Sequence, residues 1–560
     1  MGAKKYTLGV DFGTQSGRAV LVELDTGREI AHVVVAYADG VIDEELPGNG
    51  CRLGIDWALQ NPDDYLEVMS KAIPGVLSKA GADARDVIGV GIDFTSCTML
   101  PVSSDGRALC QIPAYRGNPH AWVKLWKHHA AQVEANRMTE IATDSRERFL
   151  DFYGGKISSE WLLPKIWQIL IESPEIYEAA DSFMEAGDWV VMQLVGKTVR
   201  GSCAAGYKAN WTKCGGYPGK EFLAALDSRL ENLVEEKLQG EVLPLGSKAG
   251  GVTPAAARRF GLAAGTAVAV AHVDAHAAVP ATGVVVPGAM VMIMGTSTCH
   301  MVLSKEARFI GGVSGIVEDG IVPGYYGYEA GQAAVGDIFD WFVEACVPHD
   351  YKVEARSKNQ NIHQLLEEKA AGLSPGESGL LALDWWNGVR TPLVNADLSG
   401  LILGITLQTK PEEIYRALME ATAFGTLLII EEFESAGIEI DRLVACGGLP
   451  EKNRLLVQIY ADVTGRDIHI AATPNASVLG AAMFGAVAAG KAKGGYDTIT
   501  DAAQIMAGIK SVYKPISSNV ESYKMLFDEY KTLQKYFGRD GNDVMRRLKQ
   551  FRKTAKKTIG

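Results

Sequence analysis

Apolar residues along this chain fall into short β-prone runs separated by small polar turns, and then into longer stretches with the period of a buried helix. Residues 6–11 form an apolar run, 12–17 a Gly/Thr/Ser turn, and 18–24 a second strand; Asp25-Thr26-Gly27 then turns the chain into 28–37. The same grammar returns roughly half a chain later: 290–294 reads as strand, Gly295-Thr296-Ser297-Thr298 as a polar turn and 299–303 as strand. Two such hairpins are a faint internal repeat, which predicts two similar α/β halves facing each other across a cleft. Runs 87–93 and 267–272 read as short buried strands with polar ends. Residues 411–437 open on Pro and Glu-Glu and close on Gly, as a long helix should. Strand 442–446, the tight turn Gly447-Gly448 and helix 453–464 follow, the helix with Leu455, Leu456, Ile459, Tyr460 and Val463 on its buried stripe. Residues 475–490 are Ala-rich and helical. No low-complexity linker interrupts the pattern, so the halves are expected to join through ordinary elements near 280–287.

Composition narrows the class. At 560 residues the chain exceeds one ordinary core, and 47% hydrophobic with 22% charged residues is the balance of a soluble globular protein. A net charge of -12 argues against a general nucleic-acid or anionic-membrane partner. The exception is the tail 546–557, with seven Lys and Arg, read as a solvated helix or frayed end. Eight cysteines are scattered without a CxxC pair, which suits a reducing cytosol. The opening Met1-Gly2-Ala3-Lys4-Lys5-Tyr6 lacks the apolar run of a leader, and the apolar stretches 267–278 and 284–294 are broken by His, Asp, Pro and Gly. The expectation is a cytoplasmic protein with no membrane span.

Candidate chemistry gathers in three places. In Asp11-Phe12-Gly13-Thr14-Gln15-Ser16-Gly17-Arg18 a glycine turn between strands exposes backbone N–H groups, and Thr14 and Ser16 add hydroxyls, making an anion cradle. Asp11 is placed to hold a Mg²⁺-bound water and Arg18 to neutralise charge. Alone, this pattern fits any hairpin turn; the second Gly-Thr hairpin strengthens it. The chain has no GxxxxGK[ST] and no GxGxxG, so ATP, if bound, must be held by hairpin cradles. In Gly447-Gly448-Leu449-Pro450-Glu451-Lys452-Asn453, glycines at a strand end admit a flat ring close to the backbone, although a plain strand-to-helix turn looks the same.

The third place is His272-Val273-Asp274-Ala275-His276. On a strand, positions 272, 274 and 276 share one face. That face reads as a satisfied polar strand end, as a zinc or iron site, or as a carboxylate that takes the proton of an attacking hydroxyl. In phosphoryl transfer a base of ordinary Asp pKa suffices, because the proton leaves late. The company of two Gly-Thr turns favours Asp274 as that base.

With these pieces in this order, the chain resembles the FGGY carbohydrate kinases over nearly its whole length. The resemblance rests on residues 11–18, Asp274, Met294-Gly295-Thr296-Ser297, the 447–453 loop, and Ser399-Gly400-Leu401-Ile402-Leu403-Gly404-Ile405 with Glu413-Ile414 beyond. It implies an α/β protein of two actin-like (ribonuclease H-like) domains, each a mixed sheet with flanking helices, around a central ATP/sugar cleft. Residues 1–282 would carry the sugar site and first phosphate loop, and 283–560 the ATP and adenosine site. The implied nucleotide contacts are Asp11, Gly13, Thr14, Gly295, Thr296, Gly336, Gly447, Gly448 and Asn453, with Mg²⁺ on Asp11 through water. Glu329, Gly336 and Trp341 fit the family's spacing, with Ala330 in place of a glycine. Departures cluster on the sugar side, where Leu125-Trp126-Lys127-His128-His129-Ala130 lacks the family's Asp and Arg.

Within the family, Asp93-Phe94-Thr95-Ser96-Cys97-Thr98-Met99-Leu100-Pro101, Gly206-Tyr207-Lys208-Ala209-Asn210-Trp211 and Tyr328-Glu329-Ala330-Gly331-Gln332 resemble the bacterial L-ribulokinases. That resemblance implies conversion of ATP and L-ribulose to ADP and L-ribulose 5-phosphate in L-arabinose catabolism. Ser96, Lys208 and Glu329 would hold the ketose, with its terminal hydroxyl at Asp274. Taken singly, Lys208 also reads as a surface lysine, Glu329 as a helix-entry carboxylate, and Trp122, Trp126, Trp161 and Trp167 as packing. Another FGGY-type kinase acting on D-ribulose or xylulose is the neighbouring alternative. From other classes come a metal-dependent hydrolase on His272, Asp274 and His276, and an actin-like nucleotide switch. Homo-oligomerisation stays open.

Overall fold

The structure is a computed structural model, and it describes residues 4–48 and 50–559. Met1, Gly2 and Ala3 of the opening stretch considered above lie outside the described residues, as do Asn49 and Gly560. The first apolar runs become β1 (Tyr6–Phe12), β2 (Ser16–Glu23) and β3 (Glu29–Ala36). Helix α1 (Pro62–Ala80) follows, started by the Asn61 side chain and Pro62 and stopped by Gly81 in the left-handed region, and it covers β2 and β3. Next come β4 (Val87–Phe94), α2 (Leu162–Glu172), α3 (Ser202–Lys208), β5 (Lys248–Gly251), β6 (Ala267–Ala269), β7 (His272–Val273) and α4 (Asp274–Ala281). The strands form one mixed sheet in the order β5-β6-β4-β1-β2-β3, with β7 also paired to β4.

The second sheet contains β8 (Gly288–Met294), β9 (Thr298–Ser304), β10 (Gly315–Glu318) and β11 (Tyr326–Gln332). After α5 (Gly336–Ala345) and the long α6 (Pro411–Ser435) it adds β12 (Ile440–Cys446). Helix α7 (Arg454–Thr464), β13 (Ile468–Ala471), α8 (Ala476–Ala489), β14 (Ile509–Tyr513) and α9 (Val544–Ile559) complete the described chain. The order is β10-β11-β9-β8-β12-β13-β14. Read from β3 across to β5, and from β11 across to β14, the two sheets show the same succession: two antiparallel pairings, two parallel, one antiparallel. The hairpin repeat in the sequence is therefore a repeat of whole sheets.

The halves interleave. Helix α8, late in the chain, packs on β4 and β1 of the first sheet. Its approach is close because both sides lack side chains: a Cβ on Gly89 would lie 1.9 Å from Gly485 O, and one on Gly91 1.8 Å from Ala481 O. Gly480 of the same helix lets the backbone of α4 in at Ala277.

One expectation fails here. The strand expected to carry residues 272–276 stops at Val273, and Asp274 opens α4. The run Ala275, Ala277, Ala278 and Ala281 has high helix propensity, and a carboxylate in the first turn suits the helix dipole. His272, Asp274 and His276 therefore do not share a strand face. The basic tail is helical as expected: Lys549 Nζ donates to Ala396 O at 2.5 Å, Arg546 pairs with Asp543, and Leu548 and Phe551 are exposed. Among the described residues no helix is long and apolar enough to cross a membrane.

Candidate active site

Parallel pairing of β1 with β4 sets Asp11 directly beside Asp93, and pairing of β7 with β4 sets His272 beside Asp93 in turn. One residue beyond β7, Asp274 joins the same end of the sheet. Arg18, opposite Asp11 in the hairpin, closes on it at 2.9 Å from Nε to Oδ2. Asp93 is fully buried, and its carboxylate oxygens make no hydrogen bond of good geometry. Burial, with the charges of Asp11 and Asp274, pushes its pKa well above the carboxylate range. For Asp274 the pKa is pushed up to about 7, by burial first and by Asp11 next, while a hydrogen bond from Ala275 N at 2.7 Å acts the other way. The ordinary Asp pKa expected from the sequence is corrected accordingly.

The histidines separate. His272 stacks on Phe484 with ring centroids 4.0 Å apart, and burial pulls its pKa down to about 3. His276 stacks on Tyr207 at 4.1 Å and brings Nε2 to 3.2 Å from Glu329 Oε2. Among the described residues no group of three His, Cys, Asp or Glu side chains is arranged to hold a metal ion. The zinc or iron reading of 272–276 is thereby overturned: the two rings serve different neighbours.

Lys208, at the end of α3, is buried and donates from Nζ to Glu329 Oε2 at 2.8 Å, linking the first half to β11 of the second. Burial opposes both charges, but their mutual attraction outweighs it, holding Glu329 below and Lys208 above its usual range. Neither is the surface lysine or the helix-entry carboxylate of the alternative readings: one is buried, the other sits in mid-strand. Their meeting depends on Tyr207, whose ring occupies a slot between Gly315, Gly320 and Gly327; a Cβ on any of the three would lie 2.5–2.7 Å from it. Lys165, also fully buried, donates to Cys97 O at 2.6 Å and Leu125 O at 2.9 Å. It thereby braces the turn that bears half-buried Ser96 and Cys97, the latter at a φ of 59°.

Three glycine-bearing turns converge at the end of the second sheet. Gly295 N donates to Ser297 O at 2.9 Å, and Gly336 N to Gly295 O at 3.1 Å. A Cβ on Gly336 would lie 2.7 Å from Gly295 O, and one on Gly447, whose φ is 98°, 2.5 Å from Met294 O. Gly295, Thr296 and Gly448 are exposed there. In the facing hairpin Gly13 N donates to Ser16 O at 3.0 Å, and the Thr14 hydroxyl accepts from Trp126 Nε1 at 3.1 Å. Trp126 is thus more than packing, whereas Trp122, Trp161 and Trp167 are core residues. Asn453 is buried and accepts from Leu456 N at 2.8 Å, capping α7, so its amide serves the loop's own architecture.

These turns and the carboxylate cluster belong to a sequence that matches a known family over most of its length. Residues 6–280 match the model of the FGGY family of carbohydrate kinases, N-terminal domain, and residues 290–489 that of its C-terminal domain. The chain belongs to the FGGY family of carbohydrate kinases. This kinase is 58% identical to a ribulokinase of Geobacillus thermodenitrificans over 99% of its own chain and 98% of that protein. It is equally 58% identical to a ribulokinase of Halalkalibacterium halodurans, over 97% of each. Among solved structures, a xylulose kinase from Rhodospirillum rubrum superposes with a TM-score of 0.76 at 21% identity, covering 95% of this chain and 99% of that one, and so shares the fold. The protein is an ATP:sugar phosphotransferase. Asp93, Tyr207 and Lys165 join this candidate site without having been singled out by the sequence; Asp93 left a signal as the acidic end of an apolar run, and Tyr207 as the neighbour of Lys208 in 206–211, whereas Lys165 left none.

Proposed function

We propose that this kinase moves the γ-phosphate of ATP onto the terminal hydroxyl of a ketopentose, L-ribulose, giving L-ribulose 5-phosphate as a step of L-arabinose breakdown in the cytoplasm. The observation that carries the reading is the buried Lys208–Glu329 pair, with His276, close to Asp274, in a chain so similar to ribulokinases. A ketose offers hydroxyls and a carbonyl. Lys208 is a donor and Glu329 an acceptor, so a ligand that fills both is preferred over one that leaves either unpaired. The Ser96 turn supplies the opposite wall.

Asp274 takes the proton of the attacking hydroxyl, and its raised pKa improves it as a base near neutral pH. Gly13, Thr14, Gly295, Thr296 and Gly336 form the phosphate cradles, and Gly447 and Gly448 leave flat room for adenine, with Asn453 fixing that loop. Arg18 stands beside the phosphates. Asp11, with the unpartnered buried oxygens of Asp93 beside it, fits a divalent cation held through water. Mg²⁺ there would offset phosphate charge. Closure of the half built on the first sheet, α8 included, against the half built on the second excludes water from the transfer.

The test is a coupled ADP-release assay with L-ribulose, D-ribulose, L-xylulose, D-xylulose and glycerol. L-ribulose should give the highest kcat/KM; a clear preference for glycerol or D-xylulose would overturn the reading.

A further inference from the structure

Arg390 belongs to none of the motifs that led to the site, yet its backbone is fastened to β11. Thr391 N donates to Gly331 O at 3.1 Å, and Gly331 N returns a bond to Thr391 Oγ1 at 3.2 Å. The Thr391 hydroxyl also donates to Gly312 O at 2.9 Å. Behind it, Val389 and Asn395 exchange two backbone hydrogen bonds of 2.9 and 2.8 Å, and Val394 N donates to Arg390 O at 2.7 Å.

The side chain then crosses Gly331: a Cβ there would lie 3.5 Å from Arg390 Cδ and 3.4 Å from Nη1. These are ordinary contact distances, so the arginine lies against this face of the strand; the close approach that requires glycine at 331 is to Thr298 O, 2.8 Å from such a Cβ. Alternation along β11 puts Gly331 on the same face as Glu329, while Tyr328, Ala330 and Gln332 face the core of the second half. That shared face is the one Lys208 and His276 meet.

The guanidinium itself is uncommitted. It is half-buried, and among the described residues it has no ion pair and no hydrogen bond. Burial works against the cation, but Glu160 of the first half most strongly, then Cys299 and Glu329, hold its pKa above the ordinary arginine value. Asp11 and Asp274 are not among its strongest influences. A planar five-donor group under the influence of two carboxylates, paired with neither, is suited to a neutral ligand rich in oxygen acceptors. Glu160, half-buried ahead of α2 and 3.9 Å from His129 Nε2, offers a further acceptor.

We infer that Arg390 reads the ketose, donating its N–H groups to oxygens at the end of the sugar remote from the hydroxyl that Asp274 deprotonates. This rests on the ketopentose reading above and deepens it: Lys208 and Glu329 hold the middle of the substrate, and Arg390 with Glu160 sets its length and stereochemistry. A ligand too short to reach, such as glycerol, gains nothing from Arg390.

The experiment compares Arg390→Met and Arg390→Lys with the wild-type enzyme in the ketopentose panel. ADP affinity and melting temperature are measured alongside, so that a folding defect is visible. Arg390→Met should raise KM for the preferred ketopentose about 10- to 100-fold, with kcat within about threefold and ADP affinity unchanged. Its preference among the ketopentoses should shrink to a few-fold. Arg390→Lys, which keeps charge but loses the fork, should fall between and keeps the test open if the Met variant fails to fold. A KM within about twofold of wild type in both variants overturns the inference. So does a loss of kcat at unchanged KM, which would move Arg390 to the phosphoryl group. Wild-type enzyme that turns over no ketopentose overturns the parent reading and this one with it; normal wild-type turnover with unmoved variants overturns this one alone.

Discussion

The two sheets share one strand plan, and the same three positions in each carry opposite chemistry. In the first, the register places Asp11 beside Asp93 and opposite Arg18. In the second, the corresponding positions hold Ile293 beside Cys446 and opposite Cys299. Burial pushes the Cys446 thiol up to about 12 and the Cys299 thiol up to about 11, so neither ionises near neutral pH. At these three positions charge therefore stays in one half, while the other contributes glycine-rich backbone: Gly295, Gly336 and Gly447 meet where the first half has an ion pair. The repeat supplies two hairpins, but the acid cluster beside which Asp274 stands is in the first half.

The heaviest blow to that asymmetry should come from Asp274→Asn, which keeps shape and removes the proposed base. Turnover should fall by about 10³-fold or more with ADP affinity within about twofold, as steady-state kinetics and titration would show. A variant that retains half the wild-type turnover removes Asp274 from the role. Cys446→Asp would make the second half imitate the first. It has no Arg18 equivalent, so a buried carboxyl would be left without a partner, and denaturant unfolding should register a loss on the order of 3 kcal/mol. Gly447→Ala forces a side chain into a backbone conformation nearly reserved for glycine, against Met294 O. It should cost roughly 1–3 kcal/mol of stability and raise KM for ATP more than KM for sugar. The smallest effect is the pH response. Asp274 accepts a proton only when ionised, so a pKa near 7 puts a rising limb in kcat/KM, about tenfold between pH 6 and 8. A profile already flat from pH 5 would mean that the first half does not raise this carboxyl.

Local patterning made the strands, the two hairpins and the long helices legible, because alternation and turn residues report on nearest neighbours. Pro411–Ser435 and Ala476–Ala489 fall within two residues of their expected ends. Residues 272–276 misled for the same local reason: alternate polar residues imitate a strand, while the alanines between and beyond them favour a helix that begins at Asp274. What the chain order hid was lateral register. Nothing in the run 87–94 says that its final Asp lies against Asp11, or that Tyr207 meets three glycines drawn from 315–327. Arg390 was invisible because its position is fixed by bonds between its neighbour Thr391 and Gly331, 60 residues apart in sequence.

The glycine-lined seat of α8 on β1 and β4 also bears on how the protein is made. Gly9, Gly89 and Gly91 leave that face bare until residues 476–489 arrive to cover it. During synthesis the first sheet must therefore wait, one face unclad, until most of the polypeptide has left the ribosome. A gene cut between residues 282 and 283 would release a first fragment that lacks its own lining and is prone to aggregate, and co-expression of both fragments would be needed to restore it.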